Sequence, residues 1–249
     1  MSFLKKTIAL LLFCFINLSL SAEIRIISSQ PTDTFLFYSS SPGQPALDGT
    51  ARNSPFTESF LKNVDKREPL LMVAVDIISD TLALTSLRQR PTFETNISTN
   101  KDYSIANGSS AKRYALVIGI DEYYYANANS TNAVNDVRDI TRTLRKFGYE
   151  VDLRIDVDFA SMYKAIDDFI GKLKADKDSE GFFWFGGHGI QIEGINYLLP
   201  ADVDFSTTTS TQVSSFSVAS LFQMLELAGN KINLVFLDAG RTTPFSWTR

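Results

Sequence analysis

The sequence predicts an α/β fold, in which a mostly parallel, six-stranded sheet is covered by helices on both faces. Two observations carry this prediction. Short apolar segments alternate with amphipathic segments of helical length, which is the order that strand-helix-strand crossovers produce. Several of the apolar segments show no regular alternation with polar residues, as is typical of parallel strands that helices bury on both sides.

Six segments are predicted to be strands. Segment 34–38 (TFLFY) is a compact aromatic run, and segment 114–120 (YALVIGI) is almost wholly apolar. The remaining predicted strands are 92–97, 149–155, 181–185 and 232–237.

Capping residues and helical spacing locate the helices. Ser54 and Pro55 are predicted to be the N-cap and first residue of a helix, with Glu58 as the capping-box partner of Ser54. Further helices are predicted over 70–84, 132–147, 161–173 and 218–228, whereas segment 206–217 is predicted to be a polar loop. In the helix over 70–84 the predicted apolar face consists of Leu71, Val75, Ile78 and Leu82.

Composition excludes several classes of function. The chain has 249 residues and a formal net charge of -4, so we expect no general attraction to nucleic acid or to anionic membranes. It has one cysteine and one histidine, which excludes an internal disulfide, a thiolate zinc site and a metal centre with two histidines. We therefore expect no metal and no cofactor.

Residues 1–22 are predicted to be a secretory signal peptide. Lys5 and Lys6 precede an apolar run over 7–20, and small residues follow at the expected cleavage site. This predicts an exported protein, periplasmic or secreted, with no membrane span in the mature chain. Cys14 lies in the same run, so cleavage would leave a mature chain without a thiol. An uncleaved anchor is the alternative.

Two predicted strands run into segments that suggest chemistry. Segment 181–185 is followed by Gly186-Gly187-His188-Gly189, and segment 232–237 by Asp238 and the residues after it. Ligands of open parallel sheets bind beyond the carboxyl ends of the strands. Glycines there let a substrate approach the backbone and let N–H groups point at an oxyanion. The alternative is a histidine in a glycine-rich turn that carries no chemistry.

Four segments resemble the caspase-like cysteine peptidases, and more closely their bacterial and metacaspase-like branch. They are 114–123, 132–151, 181–204 and 232–245. In that family the catalytic histidine ends one strand, and the nucleophilic cysteine ends the next strand about 50 residues later. Here position 240 follows His188 by 52 residues, and it holds Gly240 where family members have cysteine in Asp-Ala-Cys-Arg.

The resemblance implies a role for each site residue. His188 matches the general base, the N–H groups of Gly189 and Gly240 match the oxyanion hole, and Asp238 matches a residue that lines the pocket for a basic side chain. Glycine supplies no thiolate, so the resemblance implies a pseudopeptidase. For Asp238 the alternative is a solvated or helix-capping carboxylate.

The order of the resembling segments implies a circular permutation. Residues 33–98 resemble the small-subunit part, which follows the cysteine in the family, and 113–249 resemble the large-subunit part, with 99–112 as a linker. The implied fold is a three-layer, permuted caspase-like fold with the strand order 149–155, 114–120, 181–185, 232–237, 34–38, 92–97. The last strand would be antiparallel. A fragment of a tandem duplication or a decayed gene is the alternative.

The resemblance also implies ligands and partners. His188 and Gly240 would face one crevice, and Ser39, Ser40 and Ser41 would form its other wall. In the family a peptide pairs with that wall as an added strand; the alternative is that these hydroxyls only cap a turn. The expected partners are a peptide or protein ligand, an active caspase-like relative, or a second copy that pairs through strand 92–97. The functional alternatives are an active hydrolase with an unidentified nucleophile and a structural or interaction module of the cell envelope.

Overall fold

The computed structural model describes residues 33–97, 103–107, 111–124 and 132–240. Its main sheet has six strands, in the spatial order 92–95, 34–38, 232–239, 180–187, 113–119, 150–155. All neighbouring strands are parallel except the pair 34–38 and 92–95. This confirms the predicted fold class and strand order. The strands are β1 (Thr34–Tyr38), β2 (Thr92–Thr95), β3 (Arg113–Gly119), β4 (Glu150–Ile155), β5 (Glu180–Gly187) and β9 (Ile232–Ala239).

Helices cover both faces of this sheet. One face packs on α1 (Pro55–Asn63), α2 (Leu70–Leu84) and α3 (Ala133–Lys146), and the other on α4 (Phe159–Ala175) and α6 (Val218–Ala228). On the first face Trp184 stacks on Phe236, with ring centroids 5.6 Å apart. These fully buried rings join β5 to β9, the two strands that carry the candidate site.

Segment 206–217 was predicted wrongly as a polar loop. It contains a short helix, α5 (Thr208–Val213), and a two-residue strand, β8 (Phe216–Ser217). The Thr207 hydroxyl accepts a hydrogen bond from the Ser210 N–H and caps this helix. Ser and Thr favour caps as well as loops, so composition alone misled the prediction. Strand β8 extends a small antiparallel sheet with β6 (Gly189–Ile192) and β7 (Ile195–Leu198).

The predicted strand 92–97 is shorter in the structure. Strand β2 ends at Thr95, because the side chain of Asn96 then accepts a hydrogen bond of 2.7 Å from the Thr34 N–H. Strand β2 forms one edge of the main sheet. Its use as a pairing edge for a second copy stays a prediction.

The buried face of α2 also differs from the prediction. Leu71 and Val75 are exposed, whereas the residues that face the core are Leu70, Val73, Ala74, Ile77 and Thr81. Helix α2 is apolar over much of its circumference, so helical spacing fits two different stripes equally well. Contact with α1 and the sheet selects the stripe that is buried.

The described part of the predicted linker is tied into the fold. Tyr103 accepts a hydrogen bond from the Leu70 N–H at its carbonyl, and its hydroxyl donates to Glu180. Arg113 pairs with Glu180 at 2.8 Å and donates to the carbonyl of Ile105 at 2.9 Å. Residues 103–105 are therefore buried against the amino-terminal edge of the sheet rather than looped out.

No helix among the described residues has the length and apolar character needed to cross a bilayer. The predicted signal peptide, residues 1–22, lies outside the described residues.

Candidate functional site

Strands β5 and β9 bring the two sequence motifs together. Their parallel register pairs Gly186 with Asp238 and Gly187 with Ala239. His188 and Gly240 are the residues that directly follow these two paired strands, so both lie at the carboxyl edge of the sheet. The backbones are close there: a Cβ atom on Gly189 would lie 2.8 Å from the carbonyl oxygen of Gly240.

Tyr123 contacts His188 through a hydrogen bond and through its ring. The His188 N–H donates to the Tyr123 hydroxyl at 2.7 Å, and the two rings lie 4.9 Å apart at an angle of 34°. Tyr123 is buried, and this burial raises the pKa of its phenol well above the ordinary value, which keeps it neutral. In the sequence alone, the three tyrosines 123–125 after β3 fit either the border of a peptide groove or a surface patch. Tyr123 is neither exposed nor remote from the histidine, Tyr124 is exposed, and Tyr125 lies outside the described residues.

Position 240 has room for a side chain. A Cβ atom built there would meet the Ala46 nitrogen at 3.4 Å and the Pro45 Cα at 3.6 Å, which are ordinary contact distances. The first loop of the chain thus lies across this position. Arg241 lies outside the described residues.

Asp238 is buried beside the start of α1. Its Oδ2 accepts hydrogen bonds from Ser54 Oγ at 2.6 Å and Thr57 Oγ1 at 3.3 Å. Ser54 Oγ in turn accepts from the Thr57 N–H, which confirms Ser54 as N-cap. The carboxylate therefore hydrogen-bonds the capping residue of α1, but it is buried and is not itself the cap, so it fits neither the solvated nor the helix-capping alternative for Asp238. It also faces the same side of the sheet as position 240.

Asp136 is a site residue that the sequence analysis missed. It lies in the first turn of α3 and accepts hydrogen bonds from Asn53 Nδ2 at 2.9 Å and from the Ser54 N–H at 3.1 Å. That second bond makes the predicted capping box with Glu58 wrong, because a capping-box glutamate would need the same N–H. The signal available in the sequence was a carboxylate in the first turn of the helix after β3, at the edge where the motifs meet.

Asp136 and Asp238 form a buried carboxylate pair. Burial raises the pKa of Asp136 to about 7, and the charge of Asp238 adds to this effect. Burial likewise raises the pKa of Asp238 to about 6, although the hydroxyls of Ser54 and Thr57 act in the opposite direction. The pair therefore retains a proton near neutral pH, and a cation placed beside it would displace that proton.

The raised pKa of Asp238 predicts a pH dependence of stability. Above about pH 4 the unfolded chain releases this proton while the folded chain keeps it, so the free energy of unfolding falls as pH rises towards about 6, the raised pKa of Asp238. Asp238→Asn removes this penalty and keeps an oxygen for both hydroxyls. Urea unfolding at about pH 4.5 and about pH 8 should show that the variant gains stability relative to the natural chain at the higher pH. A difference that is constant or shrinks with pH contradicts the account.

The three serines lie at the end of β1. Ser39 is held by main-chain bonds to Leu237 and to the side chain of Gln89. The Ser40 hydroxyl donates to the carbonyl of Gln44 at 3.1 Å, and the Ser41 hydroxyl donates to that of Arg90 at 3.0 Å. Their predicted role along a bound peptide stays a prediction, and so do the catalytic roles of His188, Gly189 and Gly240.

A small apolar pocket, open to solvent, borders position 240 on the opposite face of β9 and is distinct from the carboxylate pair. The pocket is lined by Tyr38, Gly189, Ile190, Asn196, Tyr197, Leu198, Val218, Leu237, Ala239 and Gly240.

Among the described residues no group of three or more His, Cys, Asp and Glu side chains is arranged to hold a metal ion.

Comparison with known proteins agrees with this geometry. The family model of the peptidase C14 caspase domain matches residues 21–103 and 112–246. Among curated proteins, the human mucosa-associated lymphoid tissue lymphoma translocation protein 1 is 23% identical over 142 residues, which is 57% of this chain and 16% of that protein. The chain thus spans a small part of this relative's length. Because the family model covers most of the sequence, the chain belongs to the caspase-domain family of C14 peptidases.

Proposed function

We propose that this protein is an exported caspase-domain pseudopeptidase, which binds peptides at a basic residue without cleaving them. One observation carries the proposal: His188 and Gly189 lie beside position 240, where glycine supplies no nucleophile. Export rests on the signal-like residues 1–22. As the resemblance implies, the ligand is a peptide or protein segment, and regulation of an active relative is a role that such binding would allow.

The carboxylate pair supports a basic residue as the recognised group. Asp136 and Asp238 are buried, and the hydrogen bonds they accept come from neutral groups of Asn53, Ser54 and Thr57. A guanidinium or ammonium group that entered the pair would add charge-assisted hydrogen bonds and favour ionisation of both carboxyl groups.

The hydroxyls near the crevice support inactivity. Ser40 and Ser41 donate to main-chain carbonyls, and Ser54 donates to Asp238 while capping α1. These three hydroxyls thus donate to carbonyl and carboxylate oxygens and not to a histidine, the group that a hydroxyl nucleophile would need as its base. Thr242 and Thr243 lie outside the described residues.

The chain order supports a circular permutation. Strand β1 lies parallel to β9 with Tyr38 opposite Leu237, although nearly the whole described chain separates them. Strands β1 and β2 thus complete the sheet formed by β3, β4, β5 and β9 within one chain, which supports an intact permuted domain over a fragment of a duplicated or decayed gene.

Peptide binding tests the proposal. A peptide with a central arginine should bind the natural chain, and Asp238→Asn should weaken it about 10- to 100-fold, since a hydrogen bond to a charged group contributes about 1.5–3 kcal/mol. Isothermal titration at about pH 8 measures both affinities. Asp80→Asn, which removes a carboxylate on the surface of α2, is the matched control and should bind like the natural chain.

Two results would count against it. Equal affinity for the arginine peptide and its norleucine analogue would remove the basic residue from recognition. Binding that Asp238→Asn leaves unchanged would favour an interaction module that does not use the crevice.

A further inference from the structure

Residues 44–53, here called the cover loop, lie over position 240 and the Asp136–Asp238 pair, which together form the candidate crevice. Pro45 and Ala46 lie within 3.6 Å of the Cβ position at residue 240. Most cover-loop residues are exposed, whereas Asp136 and Asp238 beneath them are buried. A peptide that reaches position 240 or the carboxylate pair must therefore move this loop.

Hydrogen bonds hold the cover loop at both walls. The Leu47 N–H donates to Gln89 Oε1 at 3.1 Å, on the side of β1. Asn132, the residue before α3, donates from Nδ2 to the carbonyls of Asp48 and Ala51 on the other side. The loop is thus a fastened lid of irregular backbone, without helix or strand of its own.

The cover loop has a cation of its own, Arg52, which pairs with a carboxylate of α3 next to the buried pair. Arg52 Nε lies 2.9 Å from Asp139 Oδ2, and Arg52 Nη2 lies 3.2 Å from Asp139 Oδ1. Asp139 follows Asp136 by three residues on α3, so the two share a helix face. The hydrogen bond between Arg52 and Asp139 lowers the pKa of Asp139 and raises the pKa of Arg52, and the charge of Asp136 adds a smaller rise to the latter.

The next residues place neutral donors on the pair itself. Asn53 and Ser54 donate to Asp136, and Ser54 donates to Asp238. The cover loop therefore contributes one neutral donor, Asn53, to the acidic pocket, and the start of α1 contributes the others, while the Arg52 guanidinium lies one helical turn away on Asp139. A basic side chain from outside would exchange these neutral donors for a charged one.

We propose that the cover loop is an internal ligand of the crevice, and that Arg52 is the latch that a bound basic peptide displaces. This rests on the proposed function for the identity of the peptide. The closed state and the peptide-bound state then differ in the position of residues 44–53. Breaking the ion pair between Arg52 and Asp139 favours the peptide-bound state.

Arg52→Gln tests the latch, with Arg142→Gln as its matched control. Arg142 also pairs with Asp139 at 2.9 Å and is similarly exposed, but it lies on α3 and not in the loop. Both variants remove the same charge at the same carboxylate. Amide hydrogen exchange without peptide should become faster over 44–53 in Arg52→Gln and stay unchanged in Arg142→Gln.

Affinity for the arginine peptide should follow. Arg52→Gln should bind about 2- to 5-fold more tightly, the range set by an exposed ion pair, and Arg142→Gln should bind like the natural chain. Equal tightening in both variants, or loop exchange that Arg52→Gln leaves unchanged, overturns the latch. If no variant binds the peptide, the proposed function fails, while the exchange experiment still decides whether Arg52 fastens the loop.

Discussion

Replacing Gly240 by cysteine should give the chain peptidase activity towards bonds that follow a basic residue. The new Cβ atom meets its neighbours at 3.4 Å or more, so the backbone need not shift. The thiol would be added at the sheet edge where His188 and Gly189 also lie, and the resemblance to the peptidases implies that these residues then act as base and oxyanion donor. Turnover should exceed that of the natural chain by at least about 10²-fold, since general base catalysis alone contributes about 10²–10⁴-fold.

A fluorogenic peptide with arginine before the reporter measures this activity. Gly240→Ala is the matched control, because it adds the same Cβ atom without a thiol. His188→Ala in the Gly240→Cys chain should remove about 10²–10⁴-fold of the rate. Hydrolysis by the natural chain or by Gly240→Ala would contradict the claim that the site lacks a nucleophile. A Gly240→Cys chain that folds but stays inactive would contradict the claim that the residues around position 240 form a peptidase site.

Replacing Glu180 by alanine should lower the free energy of unfolding by about 3–5 kcal/mol. The side chains of Glu180 and Arg113 are each 3% exposed and pair at 2.8 Å. Alanine leaves the guanidinium buried without a counter-charge and removes the acceptor of the Tyr103 hydroxyl. The loss would extend to residues 103–105, which this cluster holds against the sheet.

Urea unfolding measures the effect. Asp168→Ala breaks the exposed pair with Lys164 on α4 and is the control, with an expected loss far smaller than that for Glu180→Ala because solvent screens this pair. If Glu180→Ala lowers the free energy of unfolding no more than Asp168→Ala does, the Tyr103, Arg113 and Glu180 side chains are solvated and do not hold residues 103–105 against the sheet.

The strands of the main sheet could be predicted because their signal is local. Segments 114–120 and 232–237 are apolar throughout, and only a strand buried on both faces suits such runs in a soluble chain. The position of β1 beside β9 came from the resemblance of 33–49 to a family segment. No local pattern would have paired two strands so far apart in the chain.

The features that the sequence analysis missed depend on tertiary contacts. Asp136 looked like other scattered carboxylates until the fold placed it over Ser54, a residue of the distant first part of the chain. The Ser-, Pro- and Gly-rich composition of 39–49 indicates a loop, but it could not show that the cover loop lies over Gly240, since that position arises from bonds to Gln89 and Asn132. Helix α2 offered two apolar stripes, and packing chose between them.

Covalent trapping tests the central claim most directly, namely that the crevice is a basic-residue peptidase site that lacks only its nucleophile. The Gly240→Cys chain would be treated with an arginyl chloromethyl ketone and followed by intact mass, with peptide mapping. The natural chain, whose single thiol is Cys14, is the control. The account predicts one adduct at position 240, formed much faster than with the leucyl reagent and slowed by Asp238→Asn. Equal rates for both reagents, or no adduct at position 240, would contradict it.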